Sequence, residues 1–137
     1  MNYKRIFIGG LLCGLILSIG EFVLNSVVLK AQMEEFVRRC GMTPPDPKAL
    51  SILFVITFML GIFIIYLYAA IRPRYGPGPK TAICAALLAW FCVYFYNNAV
   101  GLALGFIPVD VFMIAVVWGA VQYILAALAG AWLYREA

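Results

Sequence analysis

An all-α bundle of four transmembrane helices is the fold class this sequence predicts, and three observations predict it. Of the 137 residues, 66% are hydrophobic and only 12% charged, whereas a soluble domain averages about 45–50% apolar and about 25% charged. Four apolar stretches, residues 6–29, 50–71, 81–105 and 109–134, are long enough for helices that cross a bilayer, which takes about 20 residues. The charged residues gather at the ends of these stretches, where they set orientation. The net charge of +4 is therefore read as topology and not as a nucleic-acid surface. Residues 1–137 form one transmembrane domain.

The first span, residues 6–29, carries the feature the others must accommodate. Gly10, Gly14, Ser18, Glu21 and Asn25 recur at steps of four, four, three and four, which places them on one helical face. A charge at mid-bilayer costs at least about 2.5–3.5 kcal/mol, so this face must turn inward, away from lipid. Lys4, Arg5 and the small residues around Ser18 imitate a signal peptide. The apolar run continues to Leu29, however, too long for a signal core, so the segment is read as a retained helix.

The connection from Lys30 to Ala49 begins as a helical stretch, residues 30–40, with Met33, Phe36 and Val37 on one side, read either as a short external amphipathic helix or as a continuation of the first helix into water. Gly41 is placed to end it, and Thr43-Pro44-Pro45-Asp46-Pro47 forces an extended return. The second span, residues 50–71, has Thr57, Gly61 and Tyr68 as its less bulky stripe. From Arg72 to Lys80, three prolines, two glycines and three basic residues predict a stiff non-helical turn at headgroup level. Arg72, Arg74 and Lys80 are the candidate headgroup contacts.

The third span, residues 81–105, starts Ala-rich, which permits close helix approach, and places Asn97 and Asn98 well inside the membrane. Pro108 opens the fourth, residues 109–134, with Asp110 in its first turn, where a carboxylate suits the helix dipole. That helix carries Ala115, Gly119, Gln122, Ala126 and Gly130 on one face. Gly10, Gly14, Ser18, Gly119 and Gly130 are the expected packing positions. Trp132, Tyr134, Arg135 and Glu136 close it as an interface anchor.

Charge counting orients the chain. Lys4, Arg5, Arg72, Arg74, Lys80 and Arg135 lie at the termini and second connection, against Glu136 alone. The other two connections are balanced, so both termini are expected to be cytoplasmic. A faint internal repeat pairs residues 4–21 with 80–97, matching Leu11-Leu12 to Leu87-Leu88 and Glu21 to Asn97. Two tandem helical hairpins would follow, with Glu21 and Asn97 facing each other.

Glu21, Asn25, Asn97, Asn98 and Gln122 form the polar set, the candidate ligand- or proton-binding residues. By rise per residue, Glu21, Asn97 and Gln122 fall within roughly two turns of the mid-plane. No Lys or Arg lies inside a span to neutralise Glu21. A carboxyl that gains and loses a proton in a membrane is what proton- and cation-coupled transporters use. The same amides also serve as interhelical glue, each bond contributing about 0.6–2 kcal/mol.

Enzyme chemistry is not expected. The sequence has no nucleophile–base pair, acidic dyad or metal-ligand spacing, and no His at all. The four Cys, at 13, 40, 84 and 92, form no C-x-x-C pair. No cofactor or metal follows. Trp90, Phe91, Tyr94, Phe95, Tyr96, Trp118 and Tyr123 line the third and fourth spans, as packing or as walls for an apolar ligand.

Gly20-Glu21-Phe22-Val23-Leu24-Asn25, the stretch from Tyr68 to Lys80, and Gly130-Ala131-Trp132-Leu133-Tyr134-Arg135-Glu136 resemble a group of small uncharacterised bacterial four-span membrane proteins. The resemblance implies a bacterial inner (plasma) membrane and adds no catalytic residue. The expected function is to bind or translocate a small solute or proton through a polar core centred on Glu21. The alternative is an accessory or oligomer-forming subunit. At 15.2 kDa the chain is small for a complete transporter, so a homo-oligomer or a partner membrane subunit suits both readings.

Overall fold

The computed structural model describes residues 1–134, so the expected anchor residues Arg135 and Glu136 lie outside the described residues. The described residues form five helices. Helix α1 is Tyr3–Val28, its last five residues (Leu24–Val28) wound as a π-helix. Helix α2 is Lys30–Arg39 and α3 is Pro47–Tyr75. Helix α4 is Pro79–Ala103, with Trp90–Phe95 wound as π, and α5 is Val109–Leu133. Helices α1, α3, α4 and α5 are long and apolar enough to span a membrane, and the protein is an all-α, multi-pass bundle.

Local chemistry sets the helix ends. The Asn2 side chain accepts from the Arg5 N–H at 3.2 Å, capping α1. Asp46 does the same for α3, accepting from the Ala49 N–H at 2.7 Å, and Pro47 takes the first position, where its missing N–H costs nothing. The second span thus begins three residues before the expected Leu50. Gly41, at φ +63°, ends α2.

The predicted non-helical turn from Arg72 to Lys80 is corrected. Arg72, Pro73, Arg74 and Tyr75 belong to α3, and Pro79 and Lys80 to α4; only residues 76–78 turn. Pro73 is tolerated because it sits in the last turn of α3, with little helix left beyond it to disrupt. Gly76, at φ +81°, then ends the helix.

The helices form a ring in which α1 packs against α3 and α5, and α4 against the same two. Lipid tails are as apolar as Leu, so close backbone approach holds such a ring together more than hydrophobicity does. Gly61 of α3 faces Gly10 and Gly14 of α1 so closely that a Cβ there would sit 2.5 Å from the Gly10 carbonyl oxygen. Across the other interface, a Cβ on Gly9 would lie 2.6 Å from the Gly130 carbonyl oxygen of α5. Gly119 faces the Tyr94 ring, and buried Ser18 returns its hydroxyl to the Gly14 carbonyl at 2.8 Å. All five expected packing positions face inward.

The main apolar core includes Cys13, Leu17, Ile64, Ile65 and Tyr123, with Ala85, Ala86, Ala89, Ala126 and Ala127. A smaller cluster of Leu24, Leu29 and Val111, backed by Trp118, lies toward the end bearing the long first connection. At that end α3 stands apart, and residues 50–56 are exposed on every face. The opposite end is tied shut. There the Asn2 N–H donates to the Tyr134 hydroxyl at 3.3 Å, and Tyr134 packs edge-on against Tyr68 at 5.9 Å. The Gly78 N–H donates to the Tyr68 hydroxyl at 3.4 Å.

Candidate functional site

Glu21 sits in the last α-helical turn of α1, just before the π-helical segment. Opposite it, α5 presents Trp118 and Gln122, four residues apart and so on one face. An indole N–H can only donate. The Trp118 Nε1–H is shared between the Gly20 carbonyl at 3.2 Å and Gln122 Oε1 at 3.1 Å. With its oxygen so engaged, Gln122 turns its Nε2–H toward Glu21 and donates to Oε1. Gly20 is what admits this amide: a Cβ there would collide with Gln122 Oε1.

The second carboxyl oxygen accepts from Asn25 Nδ2 at 3.3 Å, while the same amide donates to the Glu21 backbone carbonyl at 2.9 Å. From α4, the Tyr94 hydroxyl faces the carboxyl, with Tyr123 edge-on to Tyr94 at 5.7 Å. Tyr94 reaches in because Gly119 leaves room for its ring. Glu21 is thus held by amide donors from α1 and α5, with the Tyr94 hydroxyl of α4 facing it. Such an arrangement steadies a carboxyl at depth and leaves it able to exchange a proton.

Of the predicted polar set, the structure brings together Glu21, Asn25 and Gln122. It does not bring in the other two. Asn97 is exposed on the outer face and donates to the Val93 carbonyl at 2.6 Å; half-buried Asn98 donates to the Tyr94 carbonyl at 2.8 Å. The expected pairing of Glu21 with Asn97 is therefore corrected. Its cause is the π-helical stretch just before Asn97. A π turn takes one residue more than an α turn, so the residues beyond it rotate by roughly 100° relative to a regular helix. Tyr94 gains the inward position and Asn97 loses it.

Trp118 and Tyr94 were legible only as aromatic residues, not as partners of Glu21; the spacing of Trp118 from Gln122 was the available signal. The basic residues lie at the tied end. Arg72 stacks over Tyr134, its Cζ 5.5 Å from the ring centre, and Arg74 and Lys80 are exposed beside the turn. On the outer surface, a groove of about 750 Å³ runs between α1 and α5, walled by Ile19, Val23, Val117 and Val121. Gly20 and Gln122 line it too, so the hydrogen-bonded cluster lies directly behind an apolar, outward-facing cleft.

Comparison with family models, curated proteins and solved structures finds no match to this chain.

Proposed function

We propose that this protein binds or passes a small solute or proton through the polar core centred on Glu21, without catalysing a reaction. The observation that carries this reading is a half-buried carboxyl held by the neutral amides of Gln122 and Asn25 and faced by Tyr94, with no cation beside it among the described residues. A purely structural bridge between α1 and α5 needs only an amide pair. A carboxyl adds a group that changes charge, and at this depth that change is costly enough to be coupled to work.

The setting proposed is the inner membrane of a bacterium, with both termini and the residue 76–78 turn in the cytoplasm and the long first connection outside. Asn2, Tyr134 and that turn share one end of the bundle, in keeping with Lys4, Arg5, Arg72, Arg74 and Lys80 near it. Arg74 and Lys80 would meet lipid headgroups, with Arg72 behind them.

A second reading, an accessory or oligomer-forming subunit, draws on residues 50–56 of α3, which are exposed on every face. Against it, Gly10, Gly14, Gly119 and Gly130 are all spent on contacts within the chain. The oligomeric state of the purified protein and any co-purifying ligand separate the two.

The decisive experiment compares Glu21→Gln and Glu21→Leu with wild type in liposomes. Glu21→Gln keeps size and hydrogen bonding and should fold, but flux or ligand binding should lose its pH dependence. Glu21→Leu strands the Gln122 and Asn25 amides and should destabilise by about 1–3 kcal/mol. Identical, pH-independent behaviour of wild type and Glu21→Gln sinks the proposal.

A further inference from the structure

We infer, resting on the reading above, that Glu21 exchanges a proton, not a metal cation, and does so with the membrane face that carries the long first connection. Two independent features lead there: the kind of atoms aimed at the carboxyl, and the unequal thickness of the apolar layers on its two sides.

A bound Na⁺, K⁺ or divalent ion needs several oxygens with lone pairs facing it. Around Glu21 the available oxygens are already committed. Gln122 Oε1 and the Gly20 carbonyl both accept from the Trp118 indole, and what points at the carboxyl is Nε2–H, Nδ2–H and a phenol. A metal ion would meet hydrogens. A proton needs only a carboxyl oxygen, and the Tyr94 hydroxyl suits both states. It donates to the ionised carboxyl and can turn to accept from the neutral acid. The step is an acid–base exchange: a hydronium on one face gives its proton to a Glu21 oxygen and leaves as water, and no electron moves.

The groups that titrate near Glu21 are few. From α4 comes Tyr94 and from α5 Tyr123; α1 brings Cys13, further along toward the main core. The titratable side chains of α3 lie elsewhere along its length, Lys48 near its start and Tyr66, Tyr68, Arg72, Arg74 and Tyr75 in its second half. The apolar stretches 6–29, 50–71, 81–105 and 109–134 contain no Lys or Arg to compete for the carboxyl.

The routes to the two faces differ. Toward the tied end lies the main core, filled by Leu17, Cys13, Tyr123 and the alanines of α4 and α5, all the way to the Tyr68–Tyr134 contact. Toward the other end the buried apolar residues are fewer, Leu24, Leu29, Val111 and Ala115, with Trp118 and the Phe95–Phe112 ring pair half-buried beside them. That layer is built on an unusual piece of helix. The Leu29 N–H donates to the Leu24 carbonyl at 2.7 Å, five residues back, so Leu24 and Leu29 are the two ends of one π turn. π turns are rare and recur at functional sites. Rewinding this one as an α turn would swing Leu29 aside without unfolding α1.

The test uses the full chain in phosphatidylcholine vesicles, with Trp90→Phe and Trp132→Phe leaving Trp118 as the sole indole beside the carboxyl. Biotin coupled to Cys40 by an impermeant maleimide selects vesicles with the first connection outward. A rapid acid jump outside should change Trp118 fluorescence promptly, and the same jump imposed inside should act more slowly by about tenfold or more. Leu24→Ala or Val111→Ala should speed the outside response by a similar factor, while Leu17→Ala in the main core should leave the sidedness unchanged. Equal rates from both sides, or no acceleration in both Leu24→Ala and Val111→Ala, overturn the route. A response to Na⁺, K⁺ or Ca²⁺ at constant pH overturns the proton assignment. If Trp118 shows no titration that Glu21→Gln removes, the Glu21 reading itself fails, a result distinct from a proton taken from the wrong side.

Discussion

Gly61→Ala puts the packing of the bundle to a quantitative test. The Cβ it adds would sit 2.5 Å from the Gly10 carbonyl oxygen and 2.6 Å from Gly14 Cα, both backbone atoms with no rotamer to yield. Carbon contacts are comfortable from about 3.5 Å, so α1 and α3 must part by about 1 Å along their crossing. Overpacking of this kind costs about 1–3 kcal/mol, against which alanine's better helix propensity returns about 0.5–1 kcal/mol. The net expectation is a loss of about 1 kcal/mol, in a range of about 0–2.5 kcal/mol. Gly101→Ala is the matched control. There the new methyl would lie 3.5 Å from the Ile107 side chain, an ordinary contact, so only the propensity gain remains. The two changes should therefore differ in sign. Unfolding followed by circular dichroism during an SDS titration in mixed micelles reads both. If Gly61→Ala proves as stable as Gly101→Ala, the α1–α3 crossing is not as close as described, and the case for glycine-mediated assembly goes with it.

Three further expectations use the same assay or simple labelling. Trp118→Phe removes the donor shared by Gly20 and Gln122 and should cost about 1–3 kcal/mol, whereas Trp90→Phe should cost less than about 1.5 kcal/mol, because the buried Trp90 Nε1 has no hydrogen-bond partner among the described residues. Equal losses would remove the special place given to Trp118. Asn25→Leu should lose about 0.6–2 kcal/mol, while Asn97→Leu, on the outer face, should be neutral within about 0.5 kcal/mol or stabilising. A large loss at Asn97 would restore it to the core. Finally, an impermeant thiol reagent applied to intact cells should label exposed Cys40 and spare buried Cys13 and the span residues Cys84 and Cys92. Labelling of Cys40 only after the membrane is opened would invert the proposed orientation.

The architecture was legible because its signals are long and redundant. Four apolar runs and the proline and glycine punctuation at Pro47, Gly41, Gly76 and Pro108 locate the helices to within a few residues. The stripe from Gly10 to Asn25 was legible for a related reason: a regular α-helix keeps residues at steps of three and four on one side. The same reasoning failed at Asn97. Periodicity assumes uniform winding, and two π segments break that assumption next to the polar cluster, in α1 and in α4. A π turn has no composition of its own; Trp90–Phe95 reads as ordinary apolar helix. Trp118 and Tyr94 escaped for a different reason. Their polar atoms matter only once Gly20 and Gly119 let a neighbour approach, a relation between helices that no single-helix pattern contains.

The freestanding residues 50–56 of α3 have a consequence for how lipids act on the protein. The apolar stretch of α3, residues 50–71, is about 33 Å long, slightly beyond the roughly 30 Å of a bilayer's hydrocarbon core. Hydrophobic mismatch of this size is relieved by tilt or bending. Residues 50–56 of α3, beyond its crossing with α1, are exposed on every face and can lean with little disturbance to the other helices. The carboxyl is held from α1 and α5 and faced by Tyr94 of α4. A thinner or thicker bilayer should therefore change the angle of α3 first and reach the Gln122–Glu21 contact last, so that the site keeps its geometry across membranes of different composition.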